Sequence, residues 1–152
     1  IAFVTANVWP GGSGIAGADA QCAADAASAG LPGSYLAWLG TSTTPGFDRF
    51  DTAGAPWRRV DGVRLTATAA EFAAQTPGGQ LRTFLNRTAA GDAVTGTGVH
   101  TGAAGATCAD WTDVSGATSN TTGYAVSADV DEFWNNTALP CNFALRLVCL
   151  QE

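Results

Sequence analysis

Small apolar residues crowd an early stretch of the chain in a helix-like pattern, and later stretches break into short apolar runs separated by Gly, Ser, Thr and Asn. The Ala-rich segment from Gly17 to Ala29 has high helix propensity, and Gly30-Leu31-Pro32 supplies a stop. Ile15, Cys22, Ala26 and Ala29 fall near one side of that helix, giving a shallow face that can lie close to whatever it packs on. Tyr35-Leu36-Ala37-Trp38-Leu39, an apolar run between Gly33 and Gly40, reads as a buried strand. A second helix is expected to start at Thr68, because Thr68-Ala69-Ala70-Glu71 has capping-box spacing, and to end by Pro77-Gly78-Gly79. Between Ala89 and Thr107 the chain is mostly Gly, Thr and Ala, which predicts a long irregular loop. From Thr107 onward Cys108, Trp111, Tyr124, Val126, Phe133 and Trp134 mark short strands between turns. The fold class is therefore α+β: two helices, short antiparallel strands and one long loop.

The closing segment Cys141–Cys149 reads as a buried strand following Pro140, a residue tolerated at a strand start. A strand of that length separates its two cysteines by about 26 Å. A disulfide needs Cα atoms roughly 4.4–6.8 Å apart, so Cys141 and Cys149 cannot pair with each other. Of the three pairings of Cys22, Cys108, Cys141 and Cys149, two stay open. Either one ties the early helix to the end of the chain and implies an oxidising, extracellular or cell-surface location.

Composition narrows this further. At 152 residues and 46% hydrophobic, the chain suits one domain over residues 1–152 with one sizeable core. No apolar run reaches membrane-spanning length, so no membrane insertion is expected. Thirteen acids against seven bases give a net charge of −6, which argues against nucleic acid as a partner. Every base is Arg, and abundant Ala and Gly without Lys suit coding by a GC-rich bacterial genome. The chain begins at Ile1 and holds no Met, so any leader or upstream domain lies outside this sequence.

Candidate chemistry is sparse. Trp38, Trp111 and Trp134 sit in predicted strands and read as core. Trp9 and Trp57 lie in turn-like contexts beside Pro10-Gly11 and Pro56, and are the candidates for a platform on which a sugar ring or a partner stacks. Arg58-Arg59, in an otherwise acidic chain, is a candidate contact for an acidic glycan or a neighbouring subunit. His100 is the only histidine and has no carboxylate nearby in sequence to orient it. No phosphate-cradling or dinucleotide motif is present. No enzyme and no required cofactor are expected. The sequons at Asn86, Asn120 and Asn135 are glycan sites only if the source is eukaryotic.

The order of parts resembles the C-type lectin-like domain: a helix with Cys22, the apolar run Tyr35–Gly40, a second helix, a long loop, Cys108-Ala109-Asp110-Trp111, Trp134-Asn135-Asn136, then Cys141 and Cys149. A closer resemblance covers nearly the whole chain. Phe3-Val4-Thr5, Gly11–Cys22, Ala29–Leu39, Asp48-Arg49-Phe50, Arg59-Val60-Asp61-Gly62 and Arg146-Leu147-Val148-Cys149 are similar to a bacterial extracellular endostatin-like family of poorly characterised function, with members on spirochaete and myxobacterial surfaces. The resemblance implies the pairing Cys22–Cys149 and Cys108–Cys141. It specifies fold far better than function.

In calcium-dependent lectins of this fold, a Glu-Pro-Asn or Gln-Pro-Asp tripeptide in the long loop and an Asn-Asp pair after a Trp hold the ion and the sugar. Here the pair is Asn135-Asn136, the tripeptide is absent, and Asp92 is the only acid in residues 91–102. Calcium gains affinity with carboxylate count, so no strong lectin-type site is expected. Asp129, Asp131 and Glu132 with Asn135 and Asn136 form a weaker calcium candidate, and Asn135, Asn136, Trp57, Arg58 and Trp9 form the candidate ligand surface. The expected function is a non-catalytic extracellular recognition module for a carbohydrate or a matrix or host protein. The alternative is a self-associating structural subunit of a surface layer, appendage or fibre.

Overall fold

A computed structural model describes residues 1–74, 79–95, 98–101, 106–135 and 137–152, without the side chains of Asp131 and Asn135. In chain order the elements are β1 (Ala2–Val4), α1 (Gly14–Ser28), β2 (Tyr35–Ala37), a 3-10 turn (Gly46–Arg49), α2 (Ala69–Ala73), β3 (Gly98–His100), the one-turn α3 (Cys108–Trp111), β4 (Ser119–Tyr124), α4 (Val130–Asn135), β5 (Thr137–Pro140) and β6 (Arg146–Gln151). The strands make a mixed sheet in the order β1-β6-β3-β4-β5, with β2 also paired to β6. β6 is antiparallel to β1, with Phe3 opposite Cys149, antiparallel to β2, and parallel to β3.

The alternation of side chains along a strand divides the core in two. Val148 and Leu150 face one way, with Ala2 and Val4, into a cluster that holds Trp38, Phe47, Phe50, Trp57, Phe72, Phe133 and Trp134. Leu147 and Cys149 face the other way, with Phe3, and meet Trp9, Tyr35, Trp111 and the buried side of α1. That side is Ala18, Cys22 and Ala26, close to the expected stripe, and its small residues let the Cys22–Cys149 disulfide form at a Cα separation of 5.6 Å. Asp19 fixes the helix laterally, accepting the Ala37 N–H at 2.9 Å and pairing with Arg49 at 2.5 Å. Gly30, at φ +69°, ends α1: the Leu31 N–H returns to the Ala26 carbonyl in the wrap that a left-handed residue makes possible.

The second disulfide joins Cys108 to Cys141, Cα atoms 5.7 Å apart. The two bonds realise the pairing that the resemblance implies, one of the two left open by the strand argument. Several expectations are corrected. The stretch Cys141–Cys149 is not one strand: β5 ends at Pro140, the chain turns through Cys141 and Asn142, and β6 begins at Arg146. Residues 89–107 include β3, which pairs with both β4 and β6. Phe133 and Trp134 lie on α4, not on a strand, and Cys108–Trp111 forms a helical turn of unusual hand. α2 has the predicted start, with the Glu71 N–H on Thr68 Oγ1 at 3.0 Å, although Glu71 reaches the N–H of Ala67 rather than that of Thr68. It ends at Ala73. Pro77 and Gly78 of the expected stop lie outside the described residues.

Candidate functional site

The late acidic segment is built as a helix start. Asp129 precedes α4 and its Oδ1 receives the Glu132 N–H at 3.4 Å, the placement of a capping carboxylate. Ser127 Oγ donates to Glu132 at 2.9 Å and accepts the Asp129 N–H at 3.1 Å, and Gln80 donates to Asp129 at 3.3 Å. These groups are occupied by α4. Among the described residues no set of three or more His, Cys, Asp or Glu side chains is placed to hold a metal ion. Asn136 and the side chains of Asp131 and Asn135 lie outside the described residues.

The proposed aromatic platforms are corrected by burial. Trp9 is 3% exposed and Trp57 is 5% exposed. Trp9 packs against His100 and Trp111. Trp57 joins Phe47, Phe50 and Phe72 and spends its indole N–H on the Gln151 carbonyl at 2.9 Å. Flanking turns did not signal this, because the residues after each Trp leave the core while the Trp itself anchors the turn beneath. Arg58 is exposed as expected. With Trp57 it borders an open depression of about 370 Å³, whose wall includes Ile1, Asp51 and Glu152.

His100 is 2% exposed. Its Nδ1 donates to Asn120 Oδ1 at 3.0 Å and its Nε2 accepts the Leu145 N–H at 3.3 Å, a network that assigns the neutral Nδ1–H tautomer. Burial holds its pKa below the ordinary imidazole value. It packs edge-on against Trp9 and Trp111 within the core. Asn120, a sequon residue, is fully buried beside it; Asn86, another, accepts from Arg59 Nη1 at 3.3 Å.

The surface feature that stands out is cationic. Trp57 to Leu65 folds back on itself about Asp61-Gly62, with Gly62 at φ +85°. The Arg59 N–H meets the Val63 carbonyl at 2.8 Å, Arg58 lies opposite Arg64, and the Leu65 N–H meets the Trp57 carbonyl at 3.1 Å. Trp57 and Leu65 point into the core, so their neighbours Arg58 and Arg64 point out. Arg82, also exposed, joins the edge of this hairpin through its N–H on the Leu65 carbonyl at 2.7 Å. Like charges placed opposite one another cost stability, and acids outnumber bases in this chain. Yet among the described residues no carboxylate lies within ion-pair distance of Arg58, Arg64 or Arg82; the pairs present are Arg49–Asp19 and Arg59–Asp61.

Arg59 serves the hairpin differently. Its Nε reaches both oxygens of Asp61, at 2.9 and 3.1 Å, and its Nη1 donates to the Phe84 carbonyl at 2.9 Å. The Arg59 guanidinium beside it holds the Asp61 carboxyl below the ordinary carboxylate range. This clamp fixes the turn against residues 84–86, and Val63 and Phe84 stand 41% and 46% exposed on the two segments it joins. Sequence reasoning found Arg58 but missed Arg64, Arg82, Val63 and Phe84. The available signal was Asp61-Gly62 flanked by alternating residues, a hairpin marker. The approach of Arg82 had no local signal, because α2 intervenes.

Compared with protein-family models and with curated proteins, the chain matches none at a significant level.

Proposed function

We propose that the chain is a non-catalytic extracellular recognition module of C-type lectin-like architecture, binding a glycan or an extracellular protein at the arginine hairpin rather than through a lectin-type calcium site. The observation that carries this reading is the outward pair Arg58 and Arg64 with Arg82, none of them ion-paired among the described residues of a chain of net charge −6, although Arg58 Nη1 donates to the Gly62 carbonyl at 3.2 Å. Arginine forks match planar carboxylate and sulfate groups. The two disulfides favour an oxidising compartment, and among the described residues no helix is long and apolar enough to cross a membrane. The one histidine is buried and neutral, which fits a binding role better than acid–base chemistry.

The test is binding of the oxidised protein to a glycan and matrix-protein array, with calcium and again with chelator, alongside sedimentation in the same buffers. Chelator-insensitive binding by a monomer is the expected result. Chelator-sensitive glycan binding would transfer the site to Asp129, Asp131, Glu132, Asn135 and Asn136. Silence on the array together with self-association would replace this reading with a structural subunit.

A further inference from the structure

We infer that Cys108–Cys141 is a thiol-operated latch: exchange with a dithiol opens it ahead of Cys22–Cys149, α3 relaxes, and residues 40–44 are released. Three observations lead there. The first is position. Cys22 lies inside α1, Cys149 lies between β1 and β2 opposite Phe3 and Ala37, and both are 0% exposed. Reaching that bond requires α1 to leave the sheet. Cys108 instead opens a one-turn element and Cys141 sits in the turn after β5, each followed by an exposed residue, Ala109 and Asn142. Opening a short surface segment takes far less free energy than global unfolding, and here it uncovers only the second bond.

The second observation is backbone strain. Cys108, Ala109, Asp110 and Trp111 have φ between +51° and +69°, and among the described residues they are the only ones other than glycine with positive φ. That conformation is disfavoured by roughly tenfold for each L-residue. A disulfide that closes on a strained backbone is reduced more readily than one joining relaxed elements, because the strain is released with the bond. The third is what α3 holds. Asp110 takes the Ser42 N–H at 2.6 Å and its hydroxyl at 2.9 Å, the Trp111 indole donates to the Gly40 carbonyl at 2.8 Å, and the Trp111 carbonyl accepts the Gly12 N–H at 2.9 Å. A right-handed or extended path through residues 108–111 redirects the Asp110 and Trp111 side chains and ends their hold on residues 40–44. In the exchange a dithiol thiolate attacks one sulfur, the other cysteine departs as a thiolate and takes a proton, and the second thiol of the dithiol closes on the mixed disulfide. Cys108 and Cys141 together gain two electrons and two protons, and the dithiol becomes a disulfide.

The test incubates the oxidised full chain with graded dithiothreitol, traps free thiols with an alkylating reagent, assigns them by mass spectrometry and reads hydrogen exchange on the same samples. Cys108 and Cys141 should be alkylated at a dithiol concentration about tenfold or more below the one that opens Cys22–Cys149. The Ser42 amide should then exchange about tenfold faster or more, while the Ala37 amide, held by Asp19, keeps its protection. Removing the dithiol in the presence of an oxidant should restore protection at Ser42. Ala109→Gly, which relieves the strain at one exposed position, should raise the dithiol concentration needed by about threefold. Opening of both bonds together, opening of Cys22–Cys149 first, or Ser42 protection that outlasts selective reduction would overturn the inference. So would a Cys108→Ser, Cys141→Ser double variant that folds with the Ser42 amide still protected.

Discussion

The carboxylate of Asp110 grips Ser42 across 68 residues of sequence, taking its N–H at 2.6 Å and its hydroxyl at 2.9 Å. Asp110 does so from a backbone conformation that L-residues avoid. Cys108, Ala109, Asp110 and Trp111 have φ of +51°, +51°, +53° and +69°, so α3 winds left-handed, at a cost of roughly 1–2 kcal/mol per residue. Four attachments hold it there. Cys108 is bonded to Cys141, the Trp111 indole donates to the Gly40 carbonyl at 2.8 Å, Thr107 Oγ1 receives the Asp110 N–H, and Asp110 holds Ser42.

Ala109 is the exposed member of that turn, which makes it a clean probe of the strain. In an ordinary helix Ala→Gly destabilises by about 1 kcal/mol. Here Ala109→Gly relieves the left-handed penalty while adding unfolded-state entropy, so the net change should be about 0–1 kcal/mol in favour of the fold. Urea denaturation measures it. A destabilisation of the ordinary helical size would mean that α3 is not left-handed in solution.

Asp110 also carries a pH signature. The Ser42 N–H, then the Ser42 hydroxyl, holds its carboxyl below the ordinary value. A depressed folded pKa contributes stability that is fully present above the ordinary carboxylate pKa and is lost as pH falls through the folded one. The Thr118 hydroxyl on Asp113 and the Arg59 guanidinium on Asp61 act in the same direction. Asp110→Asn should therefore lower stability at pH 7 and flatten the loss of stability below pH 4. Parallel acid-unfolding curves for the variant and the native protein would remove Asp110 from the account.

What the sequence made legible was local. The Ala-rich face of α1, the cap at Thr68 and the apolar run at Tyr35 each rest on neighbours a few residues away, and each stands near its expected place. The misreadings share a cause. Cys108–Trp111 takes its hand from a disulfide, an indole and Ser42, all distant in sequence. Phe133 and Trp134 have the residue types of a strand, but Asp129 and Ser127 start a helix there. At the arginine hairpin, Arg58 was visible as a charge, whereas its placement opposite Arg64, with the Arg82 backbone joined to Leu65, comes from the turn and from tertiary pairing.

Gly123 tests how α4 is seated. A Cβ at this position of β4 would come within 1.7 Å of the Phe133 carbonyl oxygen, and no side chain can swing aside to relieve a backbone clash. Gly123→Ala should push α4 from β4 and cost about 3 kcal/mol or more, the upper end for overpacking. Gly116→Ala, whose new carbon would meet Asn142 at an ordinary 3.5 Å, is the control. Thermal unfolding of both variants reads the difference. Equal midpoints would mean that β4 and α4 are not in contact at Phe133.

His100 gives the last prediction, and its sign follows from burial. The folded chain keeps the imidazole neutral, with a pKa below the ordinary value of 6.5, because desolvation outweighs the Asn120 side chain and the Trp9 carbonyl, which favour the protonated ring. The unfolded chain binds a proton near 6.5, so stability is full above that pH and declines as pH falls toward the folded pKa. His100→Gln removes the titration: the variant should be less stable at pH 7.5 by about 1–3 kcal/mol, having disturbed the buried bonds to Asn120 and Leu145. Its stability should then change less between pH 7.5 and 5 than that of the native protein. Urea midpoints at four pH values decide the matter. Identical slopes would show that the imidazolium is accommodated in the fold, with Nε2 turned donor toward the Trp9 carbonyl 3.3 Å away, and that burial at this site does not set the pH response.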